Sequence, residues 1–516
     1  MKKHLLLYVI SFVLAGAAYG QANEGIITNR SAMEVNFAQS LWANSSNAAG
    51  LVFNPLYRYN IVSGFLDYEK GDYKLQQSGD SQRRFGFNTN GALRLGKMAL
   101  WGDFTFSDNH ITGATYNTNL NNPRPDMPFY IADPNKSDWR RQSYDMAVKA
   151  AFPIGDQLSF GVEINYLTMK GAKQLDPRGT VLSYFIDVHP SFVYKIGDNH
   201  YAGVRFQYNN SFDRTSFRNS LSFGSQQIFI MRGLGNFTRG MVGGSGGNIG
   251  VFYYNGNGWG GGLQYGFMGD HTDVLFDLSY DRRMIETFET PTAPRQRGDA
   301  DNTTLSGNVQ LLRKGSVTHK ATLHLVHSAT DGIEYVQEYV PDYGLFPWLT
   351  VAKYIKSTYK QLSVSLQYDA FIGTHTDYDW KLGLNAAFSD QQDEYILPYS
   401  EFNARGFSTG FHAGKNFTLC SSSKLLLGVN CGYRKNLDGN YSYNGMDSES
   451  VIVTDFYAKD LAFHTADTWQ TGCNLDFSFV LKSISSINAG LRWNMVHAPS
   501  LSENRNMITA SFAYIF

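Results

Sequence analysis

Apolar and polar residues alternate with a period of two along much of the chain. In Leu158–Tyr166 every second residue is apolar, and Ser, Gly, Glu and Asn fill the positions between. The segments Phe85–Leu95, Leu475–Leu481 and Ile487–Met495 alternate in the same way and are rich in aromatic residues. This period is typical of β-strands with one apolar and one polar face. The pattern therefore predicts an all-β protein.

The connections between the alternating segments are of two kinds. Short turns such as Gly96–Lys97 and Gly197–Asn199 alternate with long polar segments, near residues 109–141, 171–181, 288–302, 329–352, 390–405 and 436–464. The strands between them run about 11–16 residues, enough to cross a membrane at a tilt. A soluble sandwich has shorter strands and lacks this asymmetry, whereas outer-membrane barrels have short turns on one side and long loops on the other. We expect the apolar face toward lipid and the polar face toward the lumen.

The number of alternating segments predicts about 18 strands, an even number as bacterial barrels require, within a range of about 14–20. The segment 213–257 is the least regular, because the strand-like Gln226–Met231 and Ile249–Tyr254 lie among glycines. It must contain either no crossing or two. The predicted fold is a single transmembrane antiparallel β-barrel over residues 57–516.

Composition supports this class over the alternatives. Aromatic residues make up 15% and charged residues 17% of the 516 residues, and the mean hydropathy of −0.30 is too low for a bundle of membrane helices. The aromatic content excludes a disordered chain, and the net charge of −1 gives no general attraction to nucleic acid. Three cysteines form no disulfide framework, so we expect free thiols.

The first 20 residues differ from the rest of the chain. Lys2 and Lys3 precede a nearly continuous apolar run that ends at the small residues Ala18 and Gly20. This order predicts a secretory signal peptide over residues 1–20. Together with the barrel pattern, it predicts the outer membrane of a Gram-negative bacterium.

Residues 21–56 do not alternate, and we expect them to form a plug. Ser31 and Glu34 fit a capping box, and apolar residues then recur at helical spacing. A helix this short is marginal alone, so the segment should pack in the lumen or at its periplasmic mouth. The residues expected to anchor it are Met33, Phe37, Leu41 and Asn47.

The end of the chain carries aromatic residues on one face of the last predicted strand. Phe512, Tyr514 and the final residue Phe516 share this face. The arrangement resembles the signal by which the outer-membrane assembly machinery recognises its substrates. That machinery and outer-membrane lipid are therefore expected partners.

Two sets of side chains are candidates for function. Charged residues on the polar face should line the lumen, because a charge facing lipid costs about 2–4 kcal/mol at midplane: Arg94, Asp103, Glu163, Arg205, Asp369, Asp476 and Arg492. Their mixed signs suggest a hydrogen-bonded lumen rather than a strongly ion-selective pore. Aromatic residues of the long loops 109–141, 329–352 and 436–464 should either form a lid or bind a ligand or partner; examples are Phe129, Trp139, Phe346 and Trp348.

Patterns that would indicate catalysis are weak. Ser245 lies in a Gly-x-Ser-x-Gly match, but it sits in a glycine run that we interpret as a flexible loop, with no helix after it. His319 and His327 lie about 26 Å apart along one strand, and His324 points to its other face, so the three cannot bind one metal ion. We predict no catalytic residues, no metal and no cofactor.

Two resemblances bear on function. The segment Asn47–Leu51 is similar to the N-terminal motif of long-chain fatty-acid transporter barrels, with Ala48 where that motif usually has proline. The chain as a whole resembles the orphan outer-membrane barrels common in Bacteroidota, to which no function is generally assigned. The leading hypothesis is a transport or uptake-accessory barrel for a small solute, with a surface lipoprotein or an energy-coupled receptor as candidate partner. The alternatives are a fatty-acid-type hydrophobic-ligand barrel, a non-conducting scaffold in a surface or secretion complex, and an outer-membrane enzyme.

Overall fold

The computed structural model describes residues 27–118, 127–219, 224–243, 250–290, 295–341, 344, 347–482 and 485–516. Its helical elements are α1 (Arg30–Gln39), two 3-10 turns (Trp42–Asn44 and Ala48–Val52), a π-helical turn (Ile452–Tyr457) and α2 (Ala458–Thr465). Within the described residues, no helix has the length and apolarity needed to cross a membrane. The predicted signal peptide lies outside the described residues.

The strands, in chain order, are β1 (Tyr59–Gly71), β2 (Ser81–Leu95), β3 (Met98–Ala114), β4 (Ile131–Ala132), β5 (Ser137–Ile154), β6 (Leu158–Lys173), β7 (Arg178–Ile196), β8 (His200–Arg218), β9 (Gln226–Gly233), β10 (Asn236–Val242), β11 (Val251–Met268), β12 (Thr272–Glu289), β13 (Arg295–Arg313), β14 (Val317–Tyr339), β15 (Trp348–Gly373), β16 (Tyr378–Tyr395), β17 (Ser400–Cys420), β18 (Ser423–Tyr443), β19 (Thr468–Lys482), β20 (Ser485–Ala498) and β21 (Glu503–Ile515).

The sheet closes on itself. Over the described residues, eighteen antiparallel strands pair in sequence, and β1 pairs both with β2 and with the last strand β21. In the closing pair, Ile61 lies opposite Ile515 and Gly71 opposite Arg505. Closure pairs the backbone groups that an open edge would leave exposed. The predicted closed barrel of 18 strands is confirmed.

The outer surface is apolar. Leu263, Phe85 and Phe512 are 65%, 60% and 58% exposed, and each points away from the lumen because side chains alternate across the sheet. The inward positions between them hold polar residues, such as Gln264 and Ser511. This is the reverse of a soluble sandwich, whose apolar face is its interior.

The strands are longer and the loops shorter than predicted. Barrel strands contain 13 to 26 residues, with the maximum in β15, and the connections predicted at 171–181, 329–352 and 390–405 shrink to 174–177, 340–347 and 396–399. In β14 and β15, bulges next to Ile333 and Gln337 interrupt the pattern, while backbone pairing continues to Tyr339 and Trp348. The predicted loop boundaries were therefore wrong.

The irregular segment 213–257 contributes no crossing. β8 continues to Arg218 and β11 begins at Val251, while β9 and β10 form a hairpin that joins β4 in a separate three-stranded sheet of the described residues. The glycines at 256–262 are part of β11 and not of a flexible loop. Several face the lumen, where the space without a side chain is filled by neighbours such as Asn209 and Asp281.

Candidate functional site: the barrel lumen and its two closures

Residues 27–56 lie inside the lumen at the end formed by the short turns, called the turn end here, and they are called the plug. Helix α1 is capped by Asn29, whose side-chain oxygen accepts a hydrogen bond from Ala32 N at 2.8 Å. The predicted capping box at Ser31 and Glu34 is therefore wrong. Ser31 donates to the Asn29 side chain at 2.8 Å, and Glu34 accepts from Tyr378 on the barrel wall at 2.9 Å.

The apolar side of the plug packs against the wall. Phe37 meets Tyr59 of β1 with ring centroids 5.9 Å apart, and Met33 joins the same cluster. Leu41 and Trp42 are completely buried. They pack among side chains of the plug, β7, β8, β12 and β13, namely Ala49, Val193, Tyr201, Leu275 and Leu312.

Asn47 fixes the second half of the plug. It is completely buried, and its Nδ2 donates to Gln264 Oε1 at 2.8 Å and to the backbone oxygens of Phe192 and Val204 at 3.2 and 3.3 Å. Its Oδ1 accepts from Ala49 N at 3.1 Å. One amide thus ties the plug to β7, β8 and β11.

The plug contacts both early and late strands of the barrel. Ser159 of β6 donates to the Ala49 carbonyl oxygen at 2.9 Å. Ser486 of β20 donates to the carbonyl oxygen of Thr28. The seat of the plug therefore consists of strands that lie more than 300 residues apart in sequence.

A chain of polar groups connects the plug to one side of the lumen. Lys149 Nζ donates to the carbonyl oxygen of Ser45 at 2.7 Å and lies 3.5 Å from Glu163 Oε2. The same carboxylate oxygen is 3.8 Å from His189 Nδ1, whose other ring nitrogen is 2.9 Å from Asp187. All four wall side chains are buried, so this side of the lumen is filled.

A second chain leaves the plug on the opposite side. Lys381 Nζ lies 3.3 Å from Glu34 and 3.6 Å from Asp369. Asp369 also lies 2.7 Å from His412 Nε2. Plug and wall are thus linked by charge-assisted contacts, which are stronger than neutral hydrogen bonds.

The other charged residues predicted to face the lumen make local contacts there. Asp103 accepts from Asn90 at 2.7 Å. Arg205 donates to Gln207 at 2.8 Å, and Asp476 accepts from the neighbouring Asn474 at 3.1 Å. Each of these bonds joins a charged group to a neutral amide, and Arg205 also lies 3.9 Å from the Asp281 carboxylate.

An accessible polar chamber lies above the plug. On β15, Phe371 packs on the plug, Gln367 is exposed, and Tyr359 is buried in a cluster near the other end. On β16 the same order runs from Lys381 through exposed Asn385 to buried Tyr395. The inward-facing exposed side chains of this wall include His324, Gln367, Asn385, Asn430 and Arg492. Arg94 is exposed beside the Gly96–Lys97 turn.

Three inserted segments lie within the loop end, which is the opposite end of the barrel, and we call them the cap. They are β4, the β9–β10 hairpin and the helical segment 452–465. Phe229 and Phe456 belong to one buried cluster and Ile230 to another that includes the inner-wall residues Phe252 and Ile285. The cap therefore rests on the inside of the barrel.

The predicted loop aromatics are largely buried. Phe129 and Trp139 are 3% and 2% exposed, in clusters with cap and wall residues. Trp348 packs against Tyr339 with ring centroids 5.0 Å apart. Phe346 lies outside the described residues. In the described part, this packing matches a lid more closely than an open binding surface.

Sequence reasoning missed the partners that complete the polar chains. Lys149, His189, Lys381 and His412 all lie on the inward phase of their strands, so alternation could have found them. Their pairing could not be found, because it depends on the register of strands distant in sequence.

The described part of the chain also places the cysteines and the groups that could bind a metal ion. No three His, Cys, Asp or Glu side chains there gather as ligands for a metal ion. Cys420, Cys431 and Cys473 are free and exposed. Ser245 lies outside the described residues.

Two titratable side chains of α2 have pKa values that are shifted in opposite directions. Asp460 accepts from Gln76 N at 2.9 Å, and desolvation raises the pKa of its carboxyl to about 7. His464 packs edge-on against Phe402, with ring centroids 5.7 Å apart. Burial, with a smaller contribution from Arg434, lowers the pKa of His464 to about 4.

Single substitutions in α2 should therefore give opposite pH profiles of cap docking. Docking favours protonated Asp460 and neutral His464, so Asp460 weakens docking as pH rises from about 4 to about 7, and His464 weakens it as pH falls from about 6.5 to about 4. In Asp460→Asn, protection of residues 452–465 from hydrogen exchange should fall on acidification. In His464→Gln it should fall on alkalinisation. Equal profiles in both variants, after correction for intrinsic exchange rates, would contradict this assignment.

Comparison with solved structures gives distant similarities to outer-membrane proteins. The ferric preacinetobactin receptor BauA of Acinetobacter baumannii is 9% identical, over 89% of this chain and 80% of that one, with a TM-score of 0.39. OpdK of Pseudomonas aeruginosa, solved with vanillate, is 11% identical over 89% and 98%, with a TM-score of 0.38. The outer membrane transporter YddB of Escherichia coli is 7% identical over 88% and 80%, with a TM-score of 0.40.

The similarity of Asn47–Leu51 to fatty-acid transporter barrels stays a prediction. No curated protein matches the sequence. A family match covers the last residues of the plug and the whole barrel. Residues 48–516 match the family described as a family of unknown function, DUF6850, and the chain belongs to that family.

Proposed function

We propose that this protein is a non-enzymatic outer-membrane barrel that transports, or helps to capture, a small polar solute, and that the plug is its periplasmic gate. The observation that carries the proposal is the accessible polar chamber between plug and cap. The plug fills the turn end of the barrel, so a solute can pass from the chamber to the periplasm only when the plug moves.

The outer membrane is the environment that suits this molecule. The exposed apolar outer face is favourable in lipid, and the closed sheet leaves no backbone edge to lipid. The short turns then lie in the periplasm and the long connections outside. The turn end is therefore the periplasmic mouth, and the cap faces the exterior.

The polar chamber supports a polar solute better than a hydrophobic one. The segment Asn47–Leu51, beside which a fatty-acid-type barrel would need an apolar pocket, packs directly on the wall. Ala48 and Ala49 are completely buried, and Gly161 of β6 leaves just enough space for their backbone.

Removal of the plug tests the proposal. Deletion of residues 23–50 should accelerate the swelling of proteoliposomes in small sugars several-fold, because the polar chamber would open to the periplasmic side. Heat-modifiable migration on gels would check that the deleted barrel is folded, and liposomes with the full chain are the reference. A folded deletion variant with unchanged permeability would refute transport and favour the scaffold hypothesis.

A further inference from the structure

Three arginine side chains meet in a cavity at the extracellular mouth. Arg232 of β9 and Arg295 and Arg297 of β13 line it together with Glu334 of β14, the single carboxylate among its described lining residues. The cavity has a volume of about 50 Å³, several times what one water molecule requires. Thr238, which also lines it, is exposed, so the cavity reaches the surface.

The three guanidinium groups are not equally neutralised. Arg232 lies 3.3 Å from Glu334, and Arg297 lies 2.7 Å from Glu289. Arg295 has no carboxylate within 4 Å among the described residues, and instead its guanidinium carbon lies 4.2 Å from the centre of the Trp348 ring. Its buried Nε atom has no hydrogen-bond partner in the described part of the chain.

The surroundings make this excess positive charge costly. Phe129 and Phe252, both almost fully buried, form apolar walls of the cavity. Burial and the neighbouring Arg297 lower the pKa of Arg295. The nearby Asp299 carboxylate does not line the cavity, because Tyr335 and Gln296 hold it by hydrogen bonds. An incoming anion would find donors that are already oriented and poorly solvated.

We propose that this cavity binds the oxyanionic head group, carboxylate or phosphate, of a small solute. Guanidinium groups match both kinds of oxyanion through paired hydrogen bonds. The aromatic walls, Phe129 and Phe252, would contact the apolar part next to the head group. The site rests on the proposed function and deepens it, since it gives the captured solute a negative charge.

Calorimetric titration of the full barrel in detergent, with inorganic phosphate and separately with benzoate, tests the site. At least one of the two should bind in a 1:1 ratio, and the stronger one identifies the kind of head group. Arg295→Gln should weaken binding roughly 10- to 150-fold, because it removes hydrogen bonds from a charged donor. Arg295→Lys keeps the charge but not the planar donor pair, so it should give an intermediate loss.

Arg282→Gln is the matched control, because Arg282 lies on the neighbouring strand β12 but pairs with Asp301 on the outer face, at 2.6 Å. Arg232→Gln, on the other side of the cavity, replaces Arg295→Gln should that variant not fold. Absence of binding by both anions, or equal losses in Arg282→Gln and in the cavity variant, would overturn the site.

Binding by a barrel whose plug deletion leaves permeability unchanged would refute transport but keep the site. A barrel that becomes permeable on plug deletion, but that binds neither anion, would support transport and refute the site.

Discussion

Gly161→Ala should release the plug from the barrel wall and open the periplasmic mouth. An added Cβ at Gly161 would lie 2.2 Å from Ala49 N and 2.7 Å from two further backbone atoms of Ala48 and Ala49. Backbone cannot rotate away as a flexible side chain can, so the turn at 48–52 must move. Overpacking of this kind costs about 1–3 kcal/mol or more, which corresponds to roughly 5- to 150-fold faster hydrogen exchange in residues 41–52.

Gly414→Ala is the control for that variant. Gly414 also faces the lumen, on β17, but the nearest atom to its added Cβ would be 3.7 Å away, an ordinary contact. This variant should keep the exchange protection and the low permeability of the unmodified barrel. If Gly161→Ala behaves like Gly414→Ala in both measurements, the contact between plug and wall accommodates an added methyl group, and the prediction is wrong.

Lys173→Met should detach the part of the cap that precedes β5. The Lys173 and Asp133 side chains form an ion pair in which they are 1% and 0% exposed. Loss of one partner leaves a buried charge uncompensated, which typically costs about 3–5 kcal/mol. Exchange of the backbone amides in residues 127–135 should therefore accelerate by roughly two to four orders of magnitude.

The same connection offers an exposed ion pair for comparison. Lys136 lies 2.5 Å from Asp80, and the two side chains are 62% and 38% exposed. Lys136→Met should cost no more than about 1 kcal/mol, because solvent screens such pairs. The double variant Lys173→Met/Asp133→Asn should recover most of the protection, since it leaves no unpaired charge and keeps an acceptor for Asn135. Failure of the double variant to recover would mean that the aspartate holds the connection through other contacts.

The barrel was predictable because its main signal is local. Leu475, Phe477 and Phe479 alternate with polar residues. Within the apolar band, the sequence of each strand indicates by itself which face meets the exterior. The same signal placed Asp103, Glu163 and Asp369 on the inner face. It faded in the loop-end halves of β14 and β15, where bulges interrupt the pattern although backbone pairing continues.

The two closures were less predictable because distant contacts determine them. The absence of alternation in residues 21–56 marked a separate segment, but Asn29 and Ser31 are both good helix caps, and the choice between them depends on packing. Gln226–Met231 looks like a strand whether it crosses the membrane or folds inward. Its contacts with β4 and β10, which the sequence does not reveal, determine that it folds inward.

The seat of the plug has a consequence for the order of events during biogenesis. Thr28 is held by Ser486 of β20, so the plug cannot reach its final position until β20 has joined the barrel. Contacts between residues so far apart in sequence form slowly. A nascent barrel would therefore remain leaky until its last strands join, and leakage would report incomplete closure.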